Sequence, residues 1–121
     1  MITYSFGESG ILLVKLSGKV SFEDIKKYLS EFETISIPTK DLLSLYDLRD
    51  ADLELKLENI TFISDWANKI SASFRIVRTA FLVNKPDITA YTILFKNSAS
   101  KEIAREVFST REVAVDWLKR G

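Results

Sequence analysis

The sequence predicts an α/β fold: a mixed, mostly parallel five-stranded sheet with four helices, in the order β-β-α-β-α-β-α-β-α. Three observations predict it. Short apolar or alternating runs at 2–6, 11–17, 42–48, 77–83 and 105–108 have the length and composition of strands. Between the later runs, apolar residues recur every three or four positions, which is the period of one helix face. After an opening hairpin, strand and helix alternate, a pattern that calls for parallel neighbours joined by right-handed crossovers. At 121 residues the chain is one domain by length and can bury a core without covalent staples.

Each element has a local reason. Ile2 to Phe6 alternates, Gly7-Glu8-Ser9-Gly10 is turn chemistry, and Ile11 to Ser17 completes an antiparallel pair that Gly18 closes. Ser21 caps a helix whose first turn holds Glu23 and Asp24 and whose apolar face is Phe22, Ile25, Leu29 and Phe32. Pro38 ends that unit. The run Leu42 to Leu48 then stops abruptly at Arg49-Asp50, as a buried strand does when it leaves the core. Ile60, Ile63, Ala67, Ile70 and Phe74 form the second helical stripe, and Val77 to Val83 the next strand. Asn84-Lys85-Pro86-Asp87 reads as a cap with proline at the first helical position, followed by a face of Ala90, Tyr91, Leu94 and Phe95. Arg105 to Phe108 is a more polar strand, suited to a sheet edge. Ser109 or Thr110 caps a last helix carrying Val113, Ala114, Trp117 and Leu118, with Lys119 and Arg120 at its negative end. The helices are expected near 21–35, 58–72, 86–97 and 110–119.

Composition narrows the function. Lys plus Arg equals Asp plus Glu at 17 each, so no overall field favours nucleic acid. The chain has no cysteine, hence no disulfide, thiol nucleophile or thiolate metal site. It has no histidine, the commonest general base and metal ligand. No apolar run approaches the ~18 residues of a membrane span, and Met1 to Ser5 shows no export signal, so the cytoplasm is the expected location.

Three stretches resemble the STAS domain, and within it the SpoIIAA-like family. Ile11 to Val20 is a strand ending in glycine before the first helix; Leu45-Tyr46-Asp47-Leu48-Arg49-Asp50 is a strand ending in Asp and Arg; and Val107 to Leu118 is a terminal strand, turn and helix with Ala114 and Trp117-Leu118. The resemblance implies a regulatory or binding domain, with ligand or membrane-surface association. The phosphorylated antagonists of this superfamily carry a serine in a glycine-containing turn after the third strand. Here 49–58 holds no Ser, Thr or Gly, so the phosphoserine switch does not carry over.

In open α/β sheets, ligands gather at the carboxyl ends of the strands. That edge is expected to bring Gly18 and Lys19 near Asp47, Arg49 and Asp50, and near Asn84 and Lys85. Arg49, with its planar fork, is expected to contact a carboxylate or phosphate. Asp47, Asp50 and Asp52 are oxygen donors, but Arg49 among them opposes a cation, so local ion pairs are preferred to a metal site. From Asp47 to Glu58 there are five acids against two bases, and from Lys69 to Lys85 four bases and no acid. Mutual neutralisation across adjacent elements is preferred to a polarised binding edge. Trp66 and Trp117 read as packing residues. Ser98-Ala99-Ser100-Lys101 has the S-x-x-K spacing without its companion signatures, so it reads as a polar loop with a capping serine. Asn59-Ile60-Thr61 reads as a helix cap rather than a glycosylation site.

Leu53, Leu55 and Leu57 alternate with charged residues at strand period, while Leu53 and Leu57 also extend the Ile60 and Ile63 helical stripe. Two competing registers suggest low local stability, and hence an apolar lid over a cleft. The rival is a helix that starts early and packs all three leucines. The function expected is non-catalytic recognition of a partner protein, or of a small apolar or anionic ligand, without a cofactor or metal. A peripheral membrane or lipid-binding domain is the alternative. The sequence leaves homodimerisation open.

Overall fold

The computed structural model describes residues 1–7, 10–37, 39–98 and 103–120. β1 (Ile2–Phe6) runs antiparallel to β2 (Ile11–Ser21), with Ile2 opposite Leu16 and Phe6 opposite Leu12. There follow α1 (Phe22–Phe32), β3 (Asp41–Glu54), α2 (Leu57–Ile70), β4 (Ile76–Leu82), α3 (Pro86–Asn97), β5 (Ile103–Phe108) and α4 (Arg111–Lys119), with a short 3-10 turn, Ser71–Ser73, after α2. The sheet order is β1-β2-β3-β4-β5, and β2 to β5 are parallel to one another. The expected five-stranded mixed sheet with four helices is therefore present.

Each crossover steps to the next strand in the same direction, so right-handed connections must place α1, α2 and α3 on one face. The larger core lies there: Ile25, Tyr28, Leu29 and Phe32 of α1, Trp66 of α2 and Ile88 of α3 pack onto Leu12, Val14, Leu42, Val77 and Phe81. α4 folds back over the opposite face, where Ala114 and Leu118 meet Ile11, Leu45, Ala80 and Leu82. Arg78 points to that side, its Nη2 donating to Trp117 O (2.7 Å) and its guanidinium 4.1 Å from the Trp117 ring centre.

Several local expectations hold. Ser21 Oγ accepts from Asp24 N–H (3.2 Å) while Asp24 Oδ2 accepts from Ser21 N–H (3.0 Å), a reciprocal cap. Asn59 Oδ1 takes Lys56 N–H (2.8 Å) at the start of α2, so Asn59-Ile60-Thr61 does cap a helix. Pro86 opens α3, with Lys85 rather than Asn84 in the cap position. The expected turn at Glu8 and Ser9, the stop at Pro38 and the loop Ala99 to Lys101 lie outside the described residues.

Three strands are longer than expected: β5 begins at Ile103 rather than Arg105, and β2 and β3 run past their expected ends. β2 does not end at Gly18, and β3 does not end at Leu48: 18–21 and 51–54 pair with each other beyond the reach of β4. Gly18 sits at φ +67° inside β2, a conformation an L side chain rarely adopts. Lys15 pairs with Asp47 but Ser17 pairs with Asp50, so β3 carries one extra residue, a bulge, between them. The bulge resolves the two competing registers. Leu42, Tyr46 and Leu48 face α1–α3, and after the extra residue Ala51, Leu53 and Leu55 face the same way. Without it they would turn to the opposite face, because side chains alternate along a strand. The early-starting helix is thus excluded: Leu53 is in β3, and α2 begins only at Leu57. The two charged segments do not neutralise each other either. Arg75 pairs with Asp41, Arg78 with Trp117, and Lys85 with the Ala51 carbonyl.

Candidate functional site

The face under α1–α3 is not filled. A cavity of about 150 Å³ lies between these helices and the sheet. Its walls are apolar, mostly aliphatic, with a set of aromatic rings in mutual contact among them. Phe32 meets Trp66 edge-on at 5.3 Å, Tyr46 stacks on Phe81 at 5.7 Å, and Phe81 meets Phe95 edge-on at 5.5 Å. Trp66 is anchored at the rim by Nε1–H donating to Glu33 Oε1 (2.7 Å), so its indole is a wall of the cavity as well as a packing residue. Tyr28 and Tyr46 share a hydrogen bond between their hydroxyls (3.0 Å). Burial pushes both phenols well above their ordinary pKa, so both are neutral.

The floor is the sheet, and there the apolar lining is interrupted. Ser44 pairs with Thr79, and Thr79 with Arg105, so the three stand side by side on neighbouring strands. All three line the cavity, and they are only 2%, 9% and 5% exposed. Arg105 Nη1 donates to Ser64 Oγ (3.0 Å) and Phe95 O (2.7 Å), and Nη2 to Asn68 Oδ1 (3.2 Å). The guanidinium lies 3.9 Å from the Phe95 ring centre. Burial pulls its pKa down to about 10, which leaves it charged at neutral pH.

One wall is formed by the end of β3, the residue after it and α3. Leu53, Leu55 and Tyr91 line both the cavity and an open groove outside it, bounded by Phe22, Glu54 and Asn59. They are the partition between the two. Tyr91 OH donates to Leu55 O (3.0 Å) and fixes that partition to α3. Leu57, grouped with them in the sequence, lies in the first turn of α2, 66% exposed and away from the cavity.

The charged edge predicted from the sequence is elsewhere. Asp47 follows the parity of Leu43 and Leu45, so it lies on the α4 face, where Glu112 of α4 adds to the field at Arg49. Arg49 forms a bidentate pair with Asp47, Nε to Oδ1 at 3.0 Å and Nη2 to Oδ2 at 2.9 Å. Lys15 Nζ bonds Asp50 at 2.8 Å and lies 3.7 Å from Asp47. Arg49 holds the Asp47 carboxyl below its usual range, and Lys15 does the same for Asp50. These three predicted residues thus come together, with their charges paired. Lys85 Nζ instead reaches the Ala51 carbonyl (3.1 Å), and Asn84 is exposed with no partner among the described residues. Among the described residues, no group of three or more acids is placed to hold a metal ion.

Sequence reasoning missed Ser44, Thr79 and Arg105. The signal was parity. Ser44 alternates with Leu42 and Tyr46, Thr79 with Val77 and Phe81, and Arg105 with Ile103 and Val107, so each sits on an inward position.

No family model matches the chain, and no curated protein sequence matches it. Solved structures do. An uncharacterised protein of the DUF3478 family with a SpoIIAA-like fold, from Shewanella loihica PV-4, superposes with a TM-score of 0.65 at 21% identity, covering 98% of this chain and 92% of that one. The anti-sigma factor antagonist SpoIIAA in its unphosphorylated form gives 0.61 at 10% identity, covering 98% of each chain. The Bacillus cell fate determinant SpoIIAA in the phosphorylated form gives 0.60 at 10% identity, covering 98% and 99%. Among the described residues, no helix is long and apolar enough to cross a membrane. The superpositions run over the whole length of the described fold: the chain has a SpoIIAA-like fold.

Proposed function

We propose that this chain is a non-catalytic binding domain that holds a small apolar ligand between its sheet and helices α1–α3. The observation that carries this is the apolar cavity of about 150 Å³ between the sheet and the helices. Protein interiors pack at crystal-like density, and voids of this size are rare and costly. Leu53 and Leu55 act as the lid, swinging on the two-stranded β2–β3 extension that lacks a third strand beside it. Outside the cavity, the strand-end residues Asp47, Arg49, Asp50, Asn84 and Lys85 are the surface offered to a protein partner, without a phosphoserine switch.

Titration with benzene or toluene, followed by amide chemical shifts, tests the cavity. Saturable shifts confined to residues facing it support the reading, and no binding up to solubility sinks it. Amide hydrogen exchange tests the lid: residues 52–56 should exchange faster than β3 before the bulge and slow down when toluene is bound. Protection equal to that of 42–47 in the ligand-free protein would refute it.

A second reading, attachment to a membrane surface, rests on the outer sides of α2 and α3, which expose Leu57, Phe62, Ile93 and Leu94. Co-sedimentation with liposomes over a salt series separates the two. Binding that survives salt and is lost in Leu57→Ser/Phe62→Ser supports the membrane reading.

A further inference from the structure

We propose that the row Ser44–Thr79–Arg105 is a head-group site, which takes the carboxylate of a small apolar acid whose hydrocarbon part fills the cavity. The inference rests on the ligand-binding reading above and adds to it the chemical class of the ligand.

Three features of the floor converge on an anion. First, Arg105 is a buried cation with neutral partners only: two oxygens, an amide oxygen and a ring face. Among the described residues no carboxylate lies within ion-pair distance of it, although surface pairs of that kind occur elsewhere in the domain. A buried charge normally has a counter-charge. Its Nε–H has no hydrogen-bond partner among the described residues, which leaves one donor of the fork unused.

Second, the Ser44 and Thr79 hydroxyls, each on a residue more than nine-tenths buried, have no hydrogen-bond partner among the described residues. Buried hydroxyls are almost always bonded. Nor are these two walled in. Among the described residues, Arg78 Nε, on the other face of the sheet, is the one fully enclosed side-chain polar atom without a partner. Ser44 and Thr79 therefore keep contact with the cavity space.

Third, the spacing suits one small head group. Neighbouring strands lie about 4.8 Å apart, so a carboxylate seated over Thr79 is one strand spacing from Ser44 on one side and Arg105 on the other. All three groups donate, and the one charge is positive. A carboxylate accepts from all of them and offsets the charge, whereas an ammonium would meet a guanidinium of its own sign. The remaining space limits the tail. A void of about 150 Å³ is the size that takes up benzene, so the body filling it has about six carbon atoms.

Calorimetric titration with benzoate, and with nitrobenzene as its neutral isostere, tests the assignment. Benzoate should bind the unmodified protein at least about tenfold tighter, a difference of about 1.4 kcal/mol. The double variant Ser44→Ala/Thr79→Val removes two unpartnered hydroxyls, so it should fold at least as stably. It should weaken benzoate at least about tenfold and leave nitrobenzene within about threefold. Arg105→Gln should do the same wherever it folds. If nitrobenzene binds and benzoate binds no better, or if the double variant binds benzoate unchanged, the head-group site is wrong while the apolar-ligand reading stands. If neither compound binds the unmodified protein, both are wrong.

Discussion

Ala67 offers the most direct way to perturb the cavity. It lines the void from α2, one helical turn from both Ile63 and Ile70. At ~24 cal/mol per Å³, a void of about 150 Å³ costs about 3.6 kcal/mol against a fully packed core. That is a large fraction of the 5–15 kcal/mol that stabilises a typical domain. Ala67→Leu adds three carbon atoms, worth up to about 0.8 kcal/mol each on burial, and the exchange is nearly neutral in helix propensity. Rotamer entropy and imperfect fit take back about 1 kcal/mol. The variant should therefore gain about 1–2 kcal/mol in urea titration and melt several degrees higher. It should also lose toluene binding, because the same space cannot be filled twice. Destabilisation by more than about 1 kcal/mol, in the range of an overpacked core, would refute the reasoning. So would a stabilised variant that still binds toluene as the unmodified protein does, since the space filled would then not be the ligand's.

Other expectations follow from the charged edge and from the segment after the bulge. Arg49→Ala should change stability by no more than about 1 kcal/mol, since the Arg49 end of the ion pair, 36% exposed, is screened by solvent; a loss of several kcal/mol in denaturant titration would show that the pair with Asp47 is structural. Asp47 and Asp50 have folded-state pKa values lowered by Arg49 and Lys15, so their stabilising effect is present above the unfolded carboxylate value of about 3.9 and disappears as pH falls through the lower folded values. Urea titrations from pH 7 down to 3 should accordingly show a decline that Asp47→Asn makes shallower, and an unchanged slope would remove these pairs from the account. Peptide mapping of protein from its native host should find no stoichiometric phosphate within 49–58, where no hydroxyl side chain is present.

The fold was legible because its signals are local and repeated. Ser21 and Asp24 announce α1 by the chemistry of a reciprocal cap, Pro86 announces α3 by its fixed φ, and the alternation of elements leaves little freedom for the sheet. Strand lengths were less legible. Nothing local distinguishes the end of β3 at Leu48 from its continuation through a bulge to Glu54, since the continuation depends on pairing with 18–21 across the sheet. The candidate site was the least legible part. Asp47, Arg49 and Asp50 stand out in the sequence because they are charged and close together, and that closeness is what lets them and Lys15 satisfy one another. Arg105 attracts no notice in a strand of mixed polarity, and its significance appears only when Ile103 and Val107 show which way it faces.

The bulge links the two halves of this structure. From Leu43 to Asp47, β3 is an ordinary interior strand paired on both sides, and Leu42, Ser44, Tyr46 and Leu48 face the cavity. One extra residue then shifts the parity, so that Asp47 and Asp50 both remain in reach of Lys15 while Ala51, Leu53 and Leu55 return to the cavity side. An uninterrupted strand could not do both, because alternation would carry the leucines to the face covered by α4. Beyond the bulge the strand has β2 as its one neighbour, so Leu53 is held by fewer backbone bonds than the residues forming the cavity's floor, and Leu55 lies just past the last pair. Tyr91 and Lys85 then tie the extension to α3 and to the loop before it, through single hydrogen bonds to the Leu55 and Ala51 carbonyls. Two isolated hydrogen bonds, each worth about 1 kcal/mol net, are a restraint that thermal motion breaks often, whereas the floor opens only with the sheet. The division between a polar floor inside the four parallel strands and an apolar wall that β2 alone supports is therefore set by where the extra residue falls.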